Sequence, residues 1–175
     1  NEFGDVGVDA SLLPAGAAQQ IELPGGCICC ALDEDLKKTL LGLLDRQPDV
    51  ARVVIETTGV AEPLPIAWTL ETPELVSRVR LGAVVTVVDA VEHAASRAHA
   101  RSVEEQVRYA DVLVLTKLDL LADSPRELLT TLASENPGAP VVQESRVNTA
   151  PRLWQLLCDP EFDPAPRPST VKAAA

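Results

Sequence analysis

The chain has 175 residues, 46% of them hydrophobic, which is enough to build the core of one domain of ordinary size and excludes wholesale disorder. Its 26 acidic residues outnumber its 15 basic ones, and the formal net charge of -11 argues against nucleic acid or an anionic membrane as the main partner. No apolar run approaches the roughly 20 residues of a membrane-spanning helix, and no signal segment opens the chain, so we expect a cytoplasmic protein.

Short apolar runs rich in β-branched residues alternate with amphipathic stretches along most of the chain. Residues 52–56, 83–88 and 112–116 are apolar almost throughout, which is typical of strands buried on both faces of a parallel sheet. Weaker strand candidates lie at 20–23 and 140–143. This alternation predicts an α/β fold with a mainly parallel sheet.

Helices are predicted between these strands. Leucines recur every four residues from Leu32 to Leu44, so this stretch should form a helix with one apolar face. Further helices are expected to begin near Thr72, Ser102 and Ser124, where capping residues precede apolar positions.

The composition changes after Leu157, where four prolines fall within nine residues. We therefore predict one domain over residues 1–158 and a proline-rich linker or disordered tail over residues 159–175. The sequence contains no methionine and opens abruptly on Asn1, so we expect that an N-terminal part is missing from it.

Three of the four cysteines lie together as Cys27, Cys29 and Cys30, whereas Cys158 stands alone. A disulfide framework would need spread, paired cysteines, while clustered thiols in a cytosolic protein more often bind a soft or borderline metal or carry out redox chemistry. A role as a small buried residue suits Cys158 but suits the cluster poorly. A three-thiolate site admits Zn²⁺, Co²⁺ or Cu⁺, and a thiol redox protein remains an alternative.

Glu56 is the last residue of the predicted strand over residues 52–56, and Gly59 follows three residues later. Ligands of parallel α/β folds bind at the carboxyl ends of strands. An acidic residue that leaves such a strand can hold Mg²⁺ through water, and a glycine three residues later lets a backbone N–H approach a terminal phosphate. The alternative is an ordinary strand end that turns at a glycine.

Thr116-Lys117-Leu118-Asp119 matches the Asn/Thr-Lys-x-Asp pattern with which GTPases recognise guanine. The Asp119 carboxylate can accept the N1–H and 2-amino protons of guanine, and the Lys117 stem can lie along the base. The structural alternative is a solvated Lys/Asp turn. Asp89, at the end of the strand over residues 83–88, is either structural or directed at the nucleotide, and the sequence leaves both open.

In order and spacing, these motifs resemble those of the CobW-type GTPases, relatives of the nickel-insertion GTPases HypB and UreG that are commonly called metal chaperones. The resemblance covers about residues 1 to 157, and the Gly-Cys-x-Cys-Cys element is its most specific mark. The segments that carry it are residues 1–4, 26–30, 56–63, 87–90 and 115–119.

The resemblance implies a mainly parallel sheet of the P-loop NTPase type, flanked by helices, and assigns roles to single residues. Glu56 takes the position of the Mg²⁺-linked acid, and Gly59 that of the γ-phosphate sensor. The guanine-binding positions are Thr116, Lys117 and Asp119, with Ser145 as a weaker candidate for a base contact.

The resemblance also implies a site for a transferred metal, Zn²⁺ or Co²⁺, at the Cys27, Cys29 and Cys30 thiols. Glu2 and Asp5 lie in the nucleotide-responsive switch, where either could add an oxygen ligand. His93 lies near the place where a histidine can join a metal site, and a bystander at an exposed helix start is an equal alternative. GTP and Mg²⁺ are the implied cofactors, and a client metalloprotein is the implied partner, with a homodimer as the assembly considered.

The family's P-loop, Gly-x-x-Gly-x-Gly-Lys-Thr, and the first strand that leads into it do not occur in these 175 residues. We therefore expect the GTPase domain of a metal chaperone, which couples GTP binding and hydrolysis to insertion of Zn or Co into a client, and we expect this chain to be inactive alone. The alternative is a metal-binding or regulatory remnant that never hydrolyses nucleotide.

Overall fold

The structure, a computed structural model, describes residues 31–143, 149–159 and 162–168. One or two helices lie between successive strands along these ranges, and a 3₁₀ turn at Leu118–Leu120 follows the second strand. The elements are α1 (Ala31–Arg46), α2 (Pro63–Leu70), β1 (Val85–Asp89), α3 (His93–His99), α4 (Arg101–Arg108), β2 (Val112–Thr116), α5 (Arg126–Glu135), β3 (Val141–Gln143) and α6 (Thr149–Leu157).

The three strands of the described chain form one parallel sheet in the order β1-β2-β3. The register pairs Val85 with Val112 and Asp89 with Thr116, so β1 and β2 end side by side. The predicted α/β class with a parallel sheet is therefore confirmed. Because parallel strands end at the same edge, the polar residues that follow β1 and β2 are brought together.

The central strand β2 is buried on both faces, as its continuous apolar run predicts. Leu113 and Leu115 pack on one face with Leu132 of α5, whereas Val112 and Val114 pack on the other with Val142 of β3. The alternation follows from the two-residue period of a strand. A separate apolar cluster contains Leu36, Leu40 and Leu44 of α1, packed against Leu70 of α2.

The prediction of a strand at residues 52–56 is wrong for the described structure. These residues pair with no strand there, and Val54 is 88% exposed. A strand exists only when a neighbouring chain accepts and donates its backbone hydrogen bonds. Only one edge of β1 is paired in the described chain, and Val87 is 66% exposed. The strand candidate at residues 20–23 lies outside the described residues.

The helices predicted near Ser102 and Ser124 are confirmed as α4 and α5, but the one predicted near Thr72 is not. Instead, residues 71–78 form consecutive turns, in which the amides of Leu75 and Val76 bond to the Thr72 carbonyl. Leu75 is fully buried, so packing, without a helical ladder, fixes this segment. No helix in the described residues is long and apolar enough to cross a membrane.

Part of the proline-rich segment, residues 162–168, has neither helix nor strand but packs on the sheet. Phe162 contacts the cluster formed by Val112 and its neighbours, and the Ala165 amide donates a 2.8 Å hydrogen bond to Asp111. The Arg167 guanidinium pairs with the same carboxylate. Residues 162–168 are thus anchored to the start of β2, while the predicted division of the chain at residue 158 stays a prediction.

Candidate functional site

The Thr-Lys-x-Asp motif forms a tight turn at the carboxyl end of β2. Lys117 has a left-handed backbone, with φ 58 and ψ 29, and no other non-glycine residue in the described chain has a positive φ. The Leu120 amide closes the turn on the Lys117 carbonyl at 3.1 Å. A left-handed non-glycine residue costs about 1–3 kcal/mol, and such strain is concentrated at functional sites. The strained turn carries Lys117 and Asp119 at the surface.

Asp89, whose role the sequence left open, holds the side chain of Lys117. The Lys117 Nζ lies 2.6 Å from Asp89 Oδ2, while Asp89 Oδ1 accepts hydrogen bonds from the amides of Val91 at 2.8 Å and Glu92 at 3.1 Å. The hydrogen bond from Lys117, helped by those from the two amides and opposed by burial, lowers the pKa of Asp89. The same bond raises the pKa of Lys117. Both groups are therefore charged at neutral pH, and the ion pair fixes Lys117 beside the end of β1.

Thr116 links the two strand ends through its side chain and its backbone. Its Oγ1 donates to the Val88 carbonyl at 3.2 Å, and its own carbonyl accepts the Ala90 amide at 3.0 Å. The Thr116 hydroxyl is therefore used inside the sheet, where it stiffens the base of the turn that begins at Lys117.

The loop that carries Gly59 forms a turn, closed by a 3.0 Å bond from the Ala61 amide to the Thr58 carbonyl. Gly59 does not adopt a left-handed φ, and a Cβ placed on it meets no described atom within 4 Å. Neither the backbone conformation nor the packing of the described chain requires a glycine there. Glu56, three residues earlier, is exposed.

Gln106 of α4 holds this loop through a contact that the sequence alone does not predict. Its side-chain Nε2 donates to the carbonyls of Gly59 at 3.0 Å and Ala61 at 2.8 Å. A glutamine in an amphipathic helix gives no signal that separates a solvated side chain from one that binds a distant loop. The contact joins residues 47 positions apart in sequence.

His93 is buried at the start of α3, so the expectation of an exposed helix start is wrong. Burial lowers its pKa, opposed by the charge of Glu135, and its Nε2 has no hydrogen-bond partner among the described residues. Glu135 forms an ion pair with Arg97, whose Nη2 lies 2.6 Å from its Oε1. The described residues contain no group of three or more potential metal ligands, so the role of His93 in a metal site stays a prediction.

Cys158 is exposed at the end of α6, so the expectation that it is a small buried residue is wrong. Its Sγ accepts a 3.3 Å hydrogen bond from Arg52, whose guanidinium also lies 4.9 Å from the ring centre of Trp154. The remaining predicted site residues lie outside the described residues. They are Glu2, Asp5, Cys27, Cys29, Cys30 and Ser145.

A parallel sheet with a strained Thr-Lys-x-Asp turn at the end of its central strand has the architecture of a nucleotide-binding domain. Residues 1–143 match the family described as CobW/HypB/UreG, nucleotide-binding domain. The chain belongs to this family.

Curated proteins are similar to this chain in sequence. The zinc chaperone YjiA of Escherichia coli is 41% identical over 147 residues, which cover 81% of this chain and 46% of YjiA. The zinc chaperone CobW of Sinorhizobium is 33% identical over 175 aligned positions, covering 83% of this chain and 49% of that protein. The chain thus spans about half the length of these curated relatives.

A solved structure supports the fold. The crystal structure of the Zn(II)-bound YjiA GTPase from E. coli superimposes with a TM-score of 0.58 at 36% identity, over 65% of this chain and 36% of that one. The chain is therefore homologous to zinc-chaperone GTPases in sequence and in fold.

Proposed function

We propose that this chain is the nucleotide-binding part of a metal chaperone, in which GTP binding and hydrolysis drive delivery of Zn²⁺ to a client metalloprotein. Co²⁺ is the alternative cargo. The observation that carries the proposal is the Lys117–Asp89 ion pair at 2.6 Å, which holds the strained base-recognition turn at the carboxyl end of β2. Relatives described as zinc chaperones, and one as a Zn(II)-bound GTPase, support the choice of nucleotide and metal.

In this function, the turn after β2 binds the base. Asp119 accepts the N1–H and 2-amino protons of guanine, and the Lys117 stem lies along the base plane. Adenine does not offer these two donors, so the turn selects guanine nucleotides. The ion pair with Asp89 limits the rotamers of Lys117 before the nucleotide arrives, which reduces the entropy lost on binding.

The loop after residue 55 faces the phosphates in this function. The described packing does not require a glycine at position 59. In this function, the absence of a side chain there lets the backbone come close to the terminal phosphate. The exposed Glu56 offers a carboxylate oxygen, the ligand type that Mg²⁺ takes, and Mg²⁺ when bound neutralises charge on the phosphate oxygens. The reaction is transfer of the γ-phosphoryl group to water.

The thiolates of Cys27, Cys29 and Cys30 hold the cargo in this function. Three sulfurs suit a tetrahedral Zn²⁺ and leave a fourth position for the ligand that receives the ion. GTP binding orders the switch around the metal, and hydrolysis loosens it, so that the metal passes to the client.

The test uses a restored chain, which carries a P-loop strand and a Gly-x-x-Gly-x-Gly-Lys-Thr loop ahead of Asn1. We expect it to hydrolyse GTP, to keep Zn²⁺ with a non-hydrolysable GTP analogue and to release Zn²⁺ to a chelating dye after hydrolysis. Replacing the loop lysine with alanine is the matched control and should abolish turnover. Zinc binding that is the same with and without nucleotide would instead favour the non-hydrolysing remnant.

The 175-residue chain itself should show no GTP hydrolysis above buffer background. The loop amides and lysine that hold the β- and γ-phosphates do not occur in it. Turnover by this chain would contradict the role given to that loop.

A further inference from the structure

The side chain of Gln106 connects α4 to the loop that carries Gly59, and the connection uses both of its amide hydrogens. Nε2 donates to the Gly59 carbonyl at 3.0 Å and to the Ala61 carbonyl at 2.8 Å. A glutamine amide nitrogen has two hydrogens and can donate to two carbonyls at once. An ionised glutamate has no hydrogen to donate and can only accept.

We propose that Gln106 is a positioning residue that holds the Gly59 loop in the geometry needed to sense the terminal phosphate of the nucleotide. The proposal rests on the proposed function, because it assigns the loop to the phosphates. Gln106 touches neither nucleotide nor metal in this role and acts through the loop alone.

Peptide geometry explains how the contact orients the loop. In a trans peptide the C=O and N–H groups point in opposite directions. The carbonyls of Gly59 and Ala61 point at Gln106, so the N–H groups of Val60 and Glu62 point away from α4. The Thr58 carbonyl is taken by the Ala61 amide, which also fixes the peptide that carries the Gly59 N–H. Gln106 thereby turns the amides of Val60 and Glu62 to the side of the loop opposite α4, whereas the Ala61 amide is used within the loop. Backbone amides turned to one side of a loop are the donors that anion sites use.

Gln106 is itself held by the sheet. Its backbone carbonyl accepts a 2.7 Å hydrogen bond from Thr86 Oγ1 on β1, and the next residue, Val107, is buried in the core. Asn136 further fixes the end of α4 by donating to the carbonyls of Val107 and Ala110, both at 2.8 Å. The loop is thus tied to β1 through a helix that cannot shift without breaking these contacts.

The first experiment measures hydrogen exchange at residues 57–62 in the 175-residue chain. We expect faster exchange in Gln106→Ala than in the wild type, and faster still in Gln106→Glu, because a carboxylate would face two carbonyl oxygens. Arg108→Ala, at an exposed position of the same helix, is the matched control and should exchange like the wild type. Unchanged exchange at the loop in Gln106→Ala overturns the proposal.

The second experiment measures the affinities of GDP and a non-hydrolysable GTP analogue for the restored chain. Gln106→Ala removes the two hydrogen bonds that position the loop carrying Gly59. It should therefore lower the ratio of GTP affinity to GDP affinity about tenfold. If Gln106 had only a structural role, Gln106→Ala would lower the melting temperature and weaken the binding of GTP and GDP by the same factor. Equal ratios in wild type and Gln106→Ala overturn the role of Gln106, whereas a wild-type restored chain that binds no GTP overturns the proposed function.

Discussion

Lys117 and Asp89 join the carboxyl ends of β2 and β1, with 2.6 Å between Nζ and Oδ2. Lys117 is 55% exposed, so solvent weakens the attraction and the pair adds little to the stability of the fold. Its consequence is local, because it fixes a long flexible side chain beside a strained backbone. The pair therefore holds a surface lysine in the place where the proposed function needs it for contact with the base.

Asp89→Asn tests this pairing. The amide oxygen of asparagine can still accept the amides of Val91 and Glu92, so α3 keeps its start, but the charge that holds Lys117 is lost. We expect GTP affinity of the restored chain to fall a fewfold with the preference for guanine unchanged. Competition binding with GTP, XTP and ATP measures both quantities.

The pH dependence of the same variant follows from the pKa shifts. A lowered Asp89 pKa gives stability that is present above the unfolded value, about 3.9, and is lost as pH falls through the folded value. The raised Lys117 pKa gives stability that is lost only above about pH 10.4. The difference in melting temperature between wild type and Asp89→Asn should stay constant from about pH 5 to 9 and shrink below about pH 4. A difference that varies across the neutral range would contradict the pairing.

Some of this site follows from sequence and some does not. The central strand and its Thr-Lys-x-Asp turn were predictable, because a buried parallel strand is a continuous apolar run and the turn motif has fixed spacing. That residues 52–56 form no strand in the described chain was not predictable, since an apolar run of this kind forms a strand only beside a hydrogen-bonding neighbour. The role of Asp89 could not be decided before its distance to Lys117 was known.

Gln106 and His93 show a second limit of prediction from the sequence. Gln106 binds a loop that precedes it by 47 positions, and local pattern carries no information about such a contact. His93 follows a strand end and suggests an exposed helix start, but it is 7% exposed and lies close enough to Glu135 of α5 for that charge to act on its pKa. Tertiary contacts decide both cases.

Asp111 anchors residues 162–168 and should contribute strongly to stability. Its side chain is 2% exposed and that of Arg167 is 8% exposed, and the carboxylate also accepts the Val84 amide at 2.7 Å. Asp111→Ala leaves a buried guanidinium without its carboxylate, so we expect the free energy of unfolding in urea to fall by about 3–5 kcal/mol.

Asp45 is the matched control, because it pairs with Arg78 at 2.8 Å but its side chain is 69% exposed. Asp45→Ala should cost less than about 1 kcal/mol. Similar losses in the two variants would contradict a structural role for the anchored segment.

Because of His93, the free energy of unfolding should decrease as the pH falls into the mildly acidic range. Burial lowers its folded pKa below the unfolded value near 6.5, so the unfolded chain binds the extra proton in that window. The free energy of unfolding should therefore rise with pH up to about 6.5 and then level off. His93→Gln should flatten this slope between about pH 5 and 7, as followed by urea unfolding. His99→Gln, at the other histidine of the chain, is the control, and a slope lost in that variant would move the assignment away from His93.

The cysteine cluster should bind one metal ion per chain. Co²⁺ titration should produce a thiolate charge-transfer absorption that Cys29→Ser weakens, because a hydroxyl is a poorer ligand than a thiolate for a borderline ion. Cys158→Ser is the matched control, since this thiol is exposed and stands apart in sequence. An unchanged spectrum and affinity in Cys29→Ser would remove the cluster as the metal site.

Asp119→Asn should shift the base preference of the restored chain from guanine toward xanthine. The carboxylate accepts from both N1–H and the 2-amino group of guanine, whereas an asparagine amide presents an N–H to one of these donors. Xanthine carries a carbonyl at C2, which accepts that N–H. A charged hydrogen bond is worth about 1.5–3 kcal/mol, so the ratio of GTP to XTP affinity should change at least about tenfold. Competition binding of GTP, XTP and ATP to both forms measures the ratio, with Asp123→Asn as a control for a general effect of lost charge. If Asp119→Asn leaves the ratio unchanged, Asp119 does not contact the base, and the turn after β2 loses its role in nucleotide selection.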